Sequence, residues 1–131
     1  MQFIEKMIKI FSYFLKDYGW KTKYKHKKLK NLKDILKSNS WIVIDLRNQA
    51  AYYEHHLQGT VNIPALDFFR KYYKHLKPRM KILLISNDYR SNLNIYNSLK
   101  KKRYNPYVLY AGYKEIRNNS NFDNLTKVNI I

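Results

Sequence analysis

The chain has 131 residues, 45% of them hydrophobic, with three Gly and three Pro. That length and composition suit one domain with a helical extension, built from regular elements and short loops. It has no cysteine and a formal net charge of +17, which excludes disulfides, zinc–thiolate and iron–sulfur ligation and any cysteine nucleophile.

In residues 1–18 the apolar residues Phe3, Ile4, Met7, Ile8, Phe11, Phe14, Leu15 and Tyr18 recur at three–four spacing, which predicts an amphipathic helix. Glu5, Lys6, Lys9, Ser12, Lys16 and Asp17 fall largely on its other face. No uncharged run approaches the roughly 18–20 residues of a spanning helix. An uncharged signal core with a small-residue cleavage site is also missing. The helix is therefore expected to pack on its own domain or on a second copy, to lie on a membrane surface, or to be a degenerate membrane anchor. Gly19 is placed to end it. Residues 19–30 then read as a basic connector, and residues 1–40 hold eleven Lys against Glu5, Asp17 and Asp34. Such a segment attracts nucleic acid, anionic lipid or acidic protein. Richness in Lys, Asn, Ile and Tyr together is also what an AT-rich genome produces, leaving a merely solvated face. Tyr18, Trp20 and Tyr24 interleave with Lys21, Lys23, Lys25, Lys27 and Lys28, a pattern on which bases can stack while Lys meets phosphate.

Leu29, Leu32, Ile35 and Leu36 predict a short helix to about Lys37. Trp41 to Leu46 is a continuous β-rich apolar run, as in a strand buried on both faces. Asn48 is an N-cap candidate for a helix over 49–55. Val61 to Ile63 is extended before Pro64. Leu66, Phe69, Tyr72, Tyr73 and Leu76 predict a helix stopped by Pro78. Lys81 to Ser86 is a second buried strand, residues 90–102 a helix, and Tyr107 to Tyr110 a third strand. A short helix follows near 113–117. Residues 118–124 are Asn-rich and expected to be mobile, and Lys127 to Ile131 either adds an edge strand or frays.

Strands alternating with helices imply a parallel α/β sheet with helices on both faces and a ligand site at the strands' carboxyl ends. Here those ends are Asp45-Leu46-Arg47, Ser86 to Arg90 and Ala111-Gly112. The loop Ser86, Asn87, Asp88, Tyr89, Arg90, Ser91 joins a buried strand to a helix. Such a loop aims backbone N–H groups and the helix's positive end at one point, which suits an anion.

Here the chain resembles the rhodanese-like family. Ile44-Asp45-Leu46-Arg47 is similar to the family's Asp-x-Arg after the first core strand. His56-Leu-Gln-Gly-Thr-Val-Asn-Ile-Pro64, with Gly59 inside it, is similar to the His-Ile-x-Gly-Ala-x-Asn-Ile-Pro signature. Ile82 to Ser86 followed by Arg90-Ser91 resembles the strand and loop that carry the family's active cysteine, and Leu99 to Gly112 its closing helix, strand and turn. The resemblance implies a five-stranded parallel sheet with helices on both faces, here preceded by the N-terminal amphipathic helix. It divides the chain into a helix and basic connector over 1–23, a domain over 24–118 and a polar tail over 119–131.

The family's sulfurtransferases carry sulfur as a persulfide on the loop cysteine. That position falls on Ser86 when the strand is aligned, or on Ile85 when Arg90-Ser91 is the anchor, because the loop is one residue shorter. Neither side chain holds a persulfide. A serine hydroxyl needs a base, with His55, His56 and His75 as spatial candidates. The loop also lacks Gly and carries Asp88, so Arg90 is left either to pair with Asp88 or Asp45 or to bind an anion. His56, with Gly59 and Pro64, is expected to shape a structural turn. His55-His56 is too sparse for a metal, and no cofactor is expected. The expectation is a non-enzymatic binding or regulatory module, cytoplasmic, with a protein or a small anion as partner. The alternatives are nucleic-acid binding or association with an anionic membrane surface through residues 1–18.

Overall fold

The structure, a computed structural model, describes residues 2–129. Helix α1 (Gln2–Lys23) leads to strand β1 (His26–Lys27) and helix α2 (Leu32–Lys37). Then come β2 (Trp41–Asp45), α3 (Gln49–Glu54), β3 (His55–Leu57) and β4 (Val61–Asn62). Helix α4 (Phe68–Lys71), β5 (Lys81–Ile85), α5 (Leu93–Lys101), β6 (Asn105–Leu109), α6 (Tyr113–Arg117) and β7 (Thr126–Val128) complete the chain. The main sheet has five parallel strands in the order β1-β6-β5-β2-β4.

The apolar runs of β2 and β5 are continuous because the sheet is covered on both faces. Ile44, Ile82, Leu84 and Val108 meet Trp20, Phe68, Ile95, Tyr96 and Leu99 on one side. Their sequence neighbours Val43, Leu83, Ile85 and Leu109 meet Leu32, Ile35, Tyr113, Ile116 and Phe122 on the other. The period-two alternation of a strand delivers successive side chains to the two layers. Asn48 caps α3 as expected, its Oδ1 accepting from the Ala51 N–H at 2.8 Å.

Several expectations are corrected. Gly19 does not end α1. The helix runs on to Lys23 because Trp20 and Tyr24, one turn apart, are buried against the domain. The connector contains the edge strand β1, where the carbonyls of Lys27 and of Lys25, just before the strand, accept from the Tyr110 and Val108 N–H groups at 2.9 Å each. The helix expected over 66–76 is split into 3-10 turns at Ala65–Asp67 and Tyr72–Lys74 around the four residues of α4. The third buried strand starts at Asn105 and ends at Leu109. Helix α5 begins at Leu93, not 90, because Asn92 adopts a left-handed φ of 61° after a turn closed by the Ser91 N–H on the Asp88 carbonyl.

The stretch after 118 is not loose. Ser120–Leu125 forms a 3-10 helix with Phe122 buried in the second core layer. β7 then pairs antiparallel with β3, outside the main sheet. Ile130 and Ile131, assigned to the same edge element, lie outside the described residues.

Candidate functional site

The parallel register sets Asp45 beside Ile85, so the segment after β2 and the loop after β5 emerge together at the carboxyl edge. Asp45 and Arg47, expected as pocket residues, are 1% and 4% exposed. The Asp45 carboxylate accepts from the Arg47 backbone N–H at 3.0 Å, from Nε at 3.1 Å to both oxygens and from Nη2 at 2.9 Å. Arg47 Nη2 also donates to the His55 carbonyl at 2.6 Å, and its guanidinium lies 3.4 Å from the centre of the Tyr113 ring. The pair is a bidentate brace joining β2, β3 and α6. Asn62 Nδ2 adds bonds to the Asp45 and Arg47 carbonyls at 3.0 and 2.9 Å.

His56, Gly59 and Pro64 form the adjoining turn. The His56 ring stacks on Tyr52 with centroids 3.8 Å apart, and its Nδ1 lies 2.6 Å from the Tyr52 carbonyl. Gly59 takes a φ of 86°, a left-handed value suited to glycine. Pro64 leads into the 3-10 turn at Ala65.

In the loop itself, Ser86 is buried. Its Oγ accepts from Asn92 Nδ2 at 3.3 Å, and its carbonyl accepts from the Tyr113 N–H at 3.0 Å. No histidine nitrogen bonds to Ser86 among the described residues; His55 Nδ1 meets the Tyr113 hydroxyl instead, at 2.7 Å. Asp88 folds the loop on itself. Its Oδ1 accepts from the Arg90 N–H at 2.9 Å and its carbonyl from the Ser91 N–H at 3.0 Å. Two of the amides that an anion cradle would offer are thus already taken by the chain's own aspartate. Gly112 lets the loop sit this close, since a Cβ there would lie 2.3 Å from the Asn87 carbonyl oxygen.

The family model for the rhodanese-like domain matches residues 28–119. The chain belongs to the rhodanese-like domain family. Comparison with curated proteins finds no match. Among solved structures, the BH2092 protein from Bacillus halodurans superposes with a TM-score of 0.65 at 18% identity, over 81% of this chain and 80% of its own. A rhodanese-related protein from Thermoplasma volcanium gives 0.60 at 18% identity, over 70% and 89%. The protein EanB gives 0.66 at 19% identity over 76% of this chain but only 27% of its own length, and one EanB structure carries ergothioneine linked to a cysteine persulfide.

The rhodanese-like loop here makes a contact that sequence reasoning missed. Arg90 pairs with neither Asp88 nor Asp45 through its side chain. Its Nη2 lies 3.6 Å from Asp17 Oδ1, on α1. The same carboxylate accepts from the Tyr110 hydroxyl at 2.6 Å and the Tyr89 hydroxyl at 3.0 Å, and Lys21 Nζ lies 3.5 Å away. The Tyr110 and Tyr89 hydrogen bonds and Lys21 hold the Asp17 carboxyl below its usual range, against the opposing effect of burial. Trp20, one turn on, packs edge-on against Tyr89 at 4.9 Å and beside Tyr110 at 5.4 Å. A signal was present: Tyr13, Asp17, Trp20 and Tyr24 share a helical face at four–three–four spacing. It is a second face, masked by the stronger apolar stripe.

His55, beside the brace, is the rhodanese-like domain's clearest pH-sensitive group. Burial, followed by the charges of Arg117, Arg47 and His56, lowers its pKa from an ordinary value of 6.5, and Glu54 opposes this. The unfolded chain therefore binds the proton more readily than the native one, and stability falls as pH drops below about 6.5. Thermal melts of wild type and His55→Gln at pH 7.5 and 5.5 check this. The wild type should lose more on acidification than the variant.

Proposed function

We propose that the protein is a catalytically silent rhodanese-like module that works by binding rather than by sulfur transfer. The observation that supports this reading is the state of the loop. The strand-aligned nucleophile position is a buried Ser86 tied to Asn92, and the following amides are folded onto Asp88. A hydroxyl without a partnering base is a weak nucleophile. The loop's cation is committed to Asp17, so a protein surface fits as partner better than a free small anion. The nucleic-acid alternative loses its stacking platform, because Trp20 and Tyr24 are buried and only Tyr18 of the three rings is exposed.

The test is thiocyanate production from thiosulfate and cyanide. Wild type should show no turnover above buffer. Ser86→Cys should show none either, because the thiol would enter a loop whose amides and cation are already engaged. Clear turnover by the wild type overturns the proposal. Strong activity in Ser86→Cys would show that the cradle survives and that one substitution alone silenced it.

A further inference from the structure

Helix α1 meets the domain through one face near its C-terminal end, and residues 2–16 are exposed. Among its described residues, Asp17 and Trp20 are buried. Phe3, Ile4, Met7, Ile8, Phe11, Phe14, Leu15 and Tyr18 are all 55–73% exposed, and Ile10 is exposed with them. At 100° per residue these nine positions span an arc of about 160°. Trp20 falls almost opposite the centre of that arc, so docking through Trp20 turns the stripe away from the sheet.

We propose that this face lies on the surface of an anionic lipid bilayer. A contiguous apolar strip of this kind on a monomer marks an interaction site. Its breadth suits half-immersion of a helix better than the narrow seam of a two-helix coil. Charge complementarity separates a bilayer from a second copy. Residues 2–16 carry Lys6, Lys9 and Lys16 against Glu5, and Lys21, Lys23, Lys25, Lys27, Lys28 and Lys30 follow. Pairing two stripes would bring together two chains of net charge +17, whereas anionic headgroups neutralise that charge. No described helix is long and apolar enough to cross a membrane, which fits a helix lying in the interface plane.

The experiment is co-sedimentation of the full chain with vesicles of phosphatidylcholine containing phosphatidylserine, and with phosphatidylcholine alone. Sedimentation velocity of the free protein is measured alongside. Wild type should bind the anionic vesicles more strongly than the neutral ones, and added salt should weaken that binding. The double variant Phe11→Glu, Phe14→Glu should lose roughly a hundredfold in partitioning. Both side chains are more than 60% exposed, so circular dichroism and melting should show an unchanged fold. Equal binding by wild type and variant would overturn the role of the stripe and leave charge alone. Absence of vesicle binding, with a dimer that the variant dissociates, would overturn the lipid assignment in favour of a second copy. Absence of vesicle binding with a monomeric chain would overturn it outright.

Discussion

Replacing Arg47 by Leu is expected to cost about 3–5 kcal/mol of unfolding free energy, the largest stability effect of any single substitution at the site. Among the described residues, the guanidinium is the sole side-chain partner of a carboxylate that is 1% exposed. Its removal leaves Asp45 buried with only the backbone N–H of residue 47 to stabilise it. The His55 carbonyl loses its donor and the Tyr113 ring its cation. Denaturant unfolding followed by circular dichroism measures the loss. The double variant Asp45→Leu, Arg47→Leu should lose less than the two single variants added together, because removing both charges removes the uncompensated one. A single-variant loss below about 1 kcal/mol would place Arg47 among solvated surface pairs and contradict the brace.

Trp20→Ala is expected to follow closely, at about 3–5 kcal/mol, the usual range for truncating a buried Trp or Phe. The indole is the junction of an aromatic cluster. It lies within 5.6 Å of Tyr24, His26, Tyr89 and Tyr110. Truncation also removes the packing that holds Asp17 over the loop, so α1 should come loose before the sheet does. Limited trypsin digestion reads this directly, since Lys16, Lys21 and Lys23 flank the contact. Faster cleavage there, with the rest of the domain intact, is the expected pattern. Unchanged cleavage would mean that the hydrogen bonds of Asp17 suffice without the ring.

The contrast between these two sites shows what the sequence carried. β2 and β5 were readable because burial on both faces leaves an uninterrupted apolar run, and their ends located the loop and the Asp45–Arg47 segment. The turn from His56 to Pro64 was readable through its resemblance to the family signature, and the cap at Asn48 from local chemistry. β1 was not, because a two-residue edge strand made of His and Lys has no apolar signal; its identity lies in carbonyls that pair with β6. The early end expected at Gly19 and the early start of α5 have different causes. At Gly19, local propensity was outweighed by a distant contact, Trp20 against Tyr110; before α5, the local turn closed on Asp88 and the left-handed Asn92 delay the helix. Asp17 was legible only as a polar residue on the wrong side of a stripe. Its role depends on Tyr89 and Tyr110, which lie 72 and 93 positions away. Phe122 was obscured in the same way, an apolar residue in an Asn-rich stretch that shares its core layer with the sequence-distant Leu32 and Ile35.

The ring cluster at Trp20 also removes slack between helix and domain. A domain on a flexible tether samples every orientation about its anchor. Here the helix that begins at Gln2 runs straight through Trp20 to Lys23 without a loop, about 27 Å of it lying ahead of the indole at 1.5 Å per residue. Tyr89 and Tyr110 grip that end from the carboxyl edge of the sheet. The helix is therefore a bracket: whatever its outer face meets, the Ser86–Ser91 loop is presented to the surroundings at a fixed angle and height.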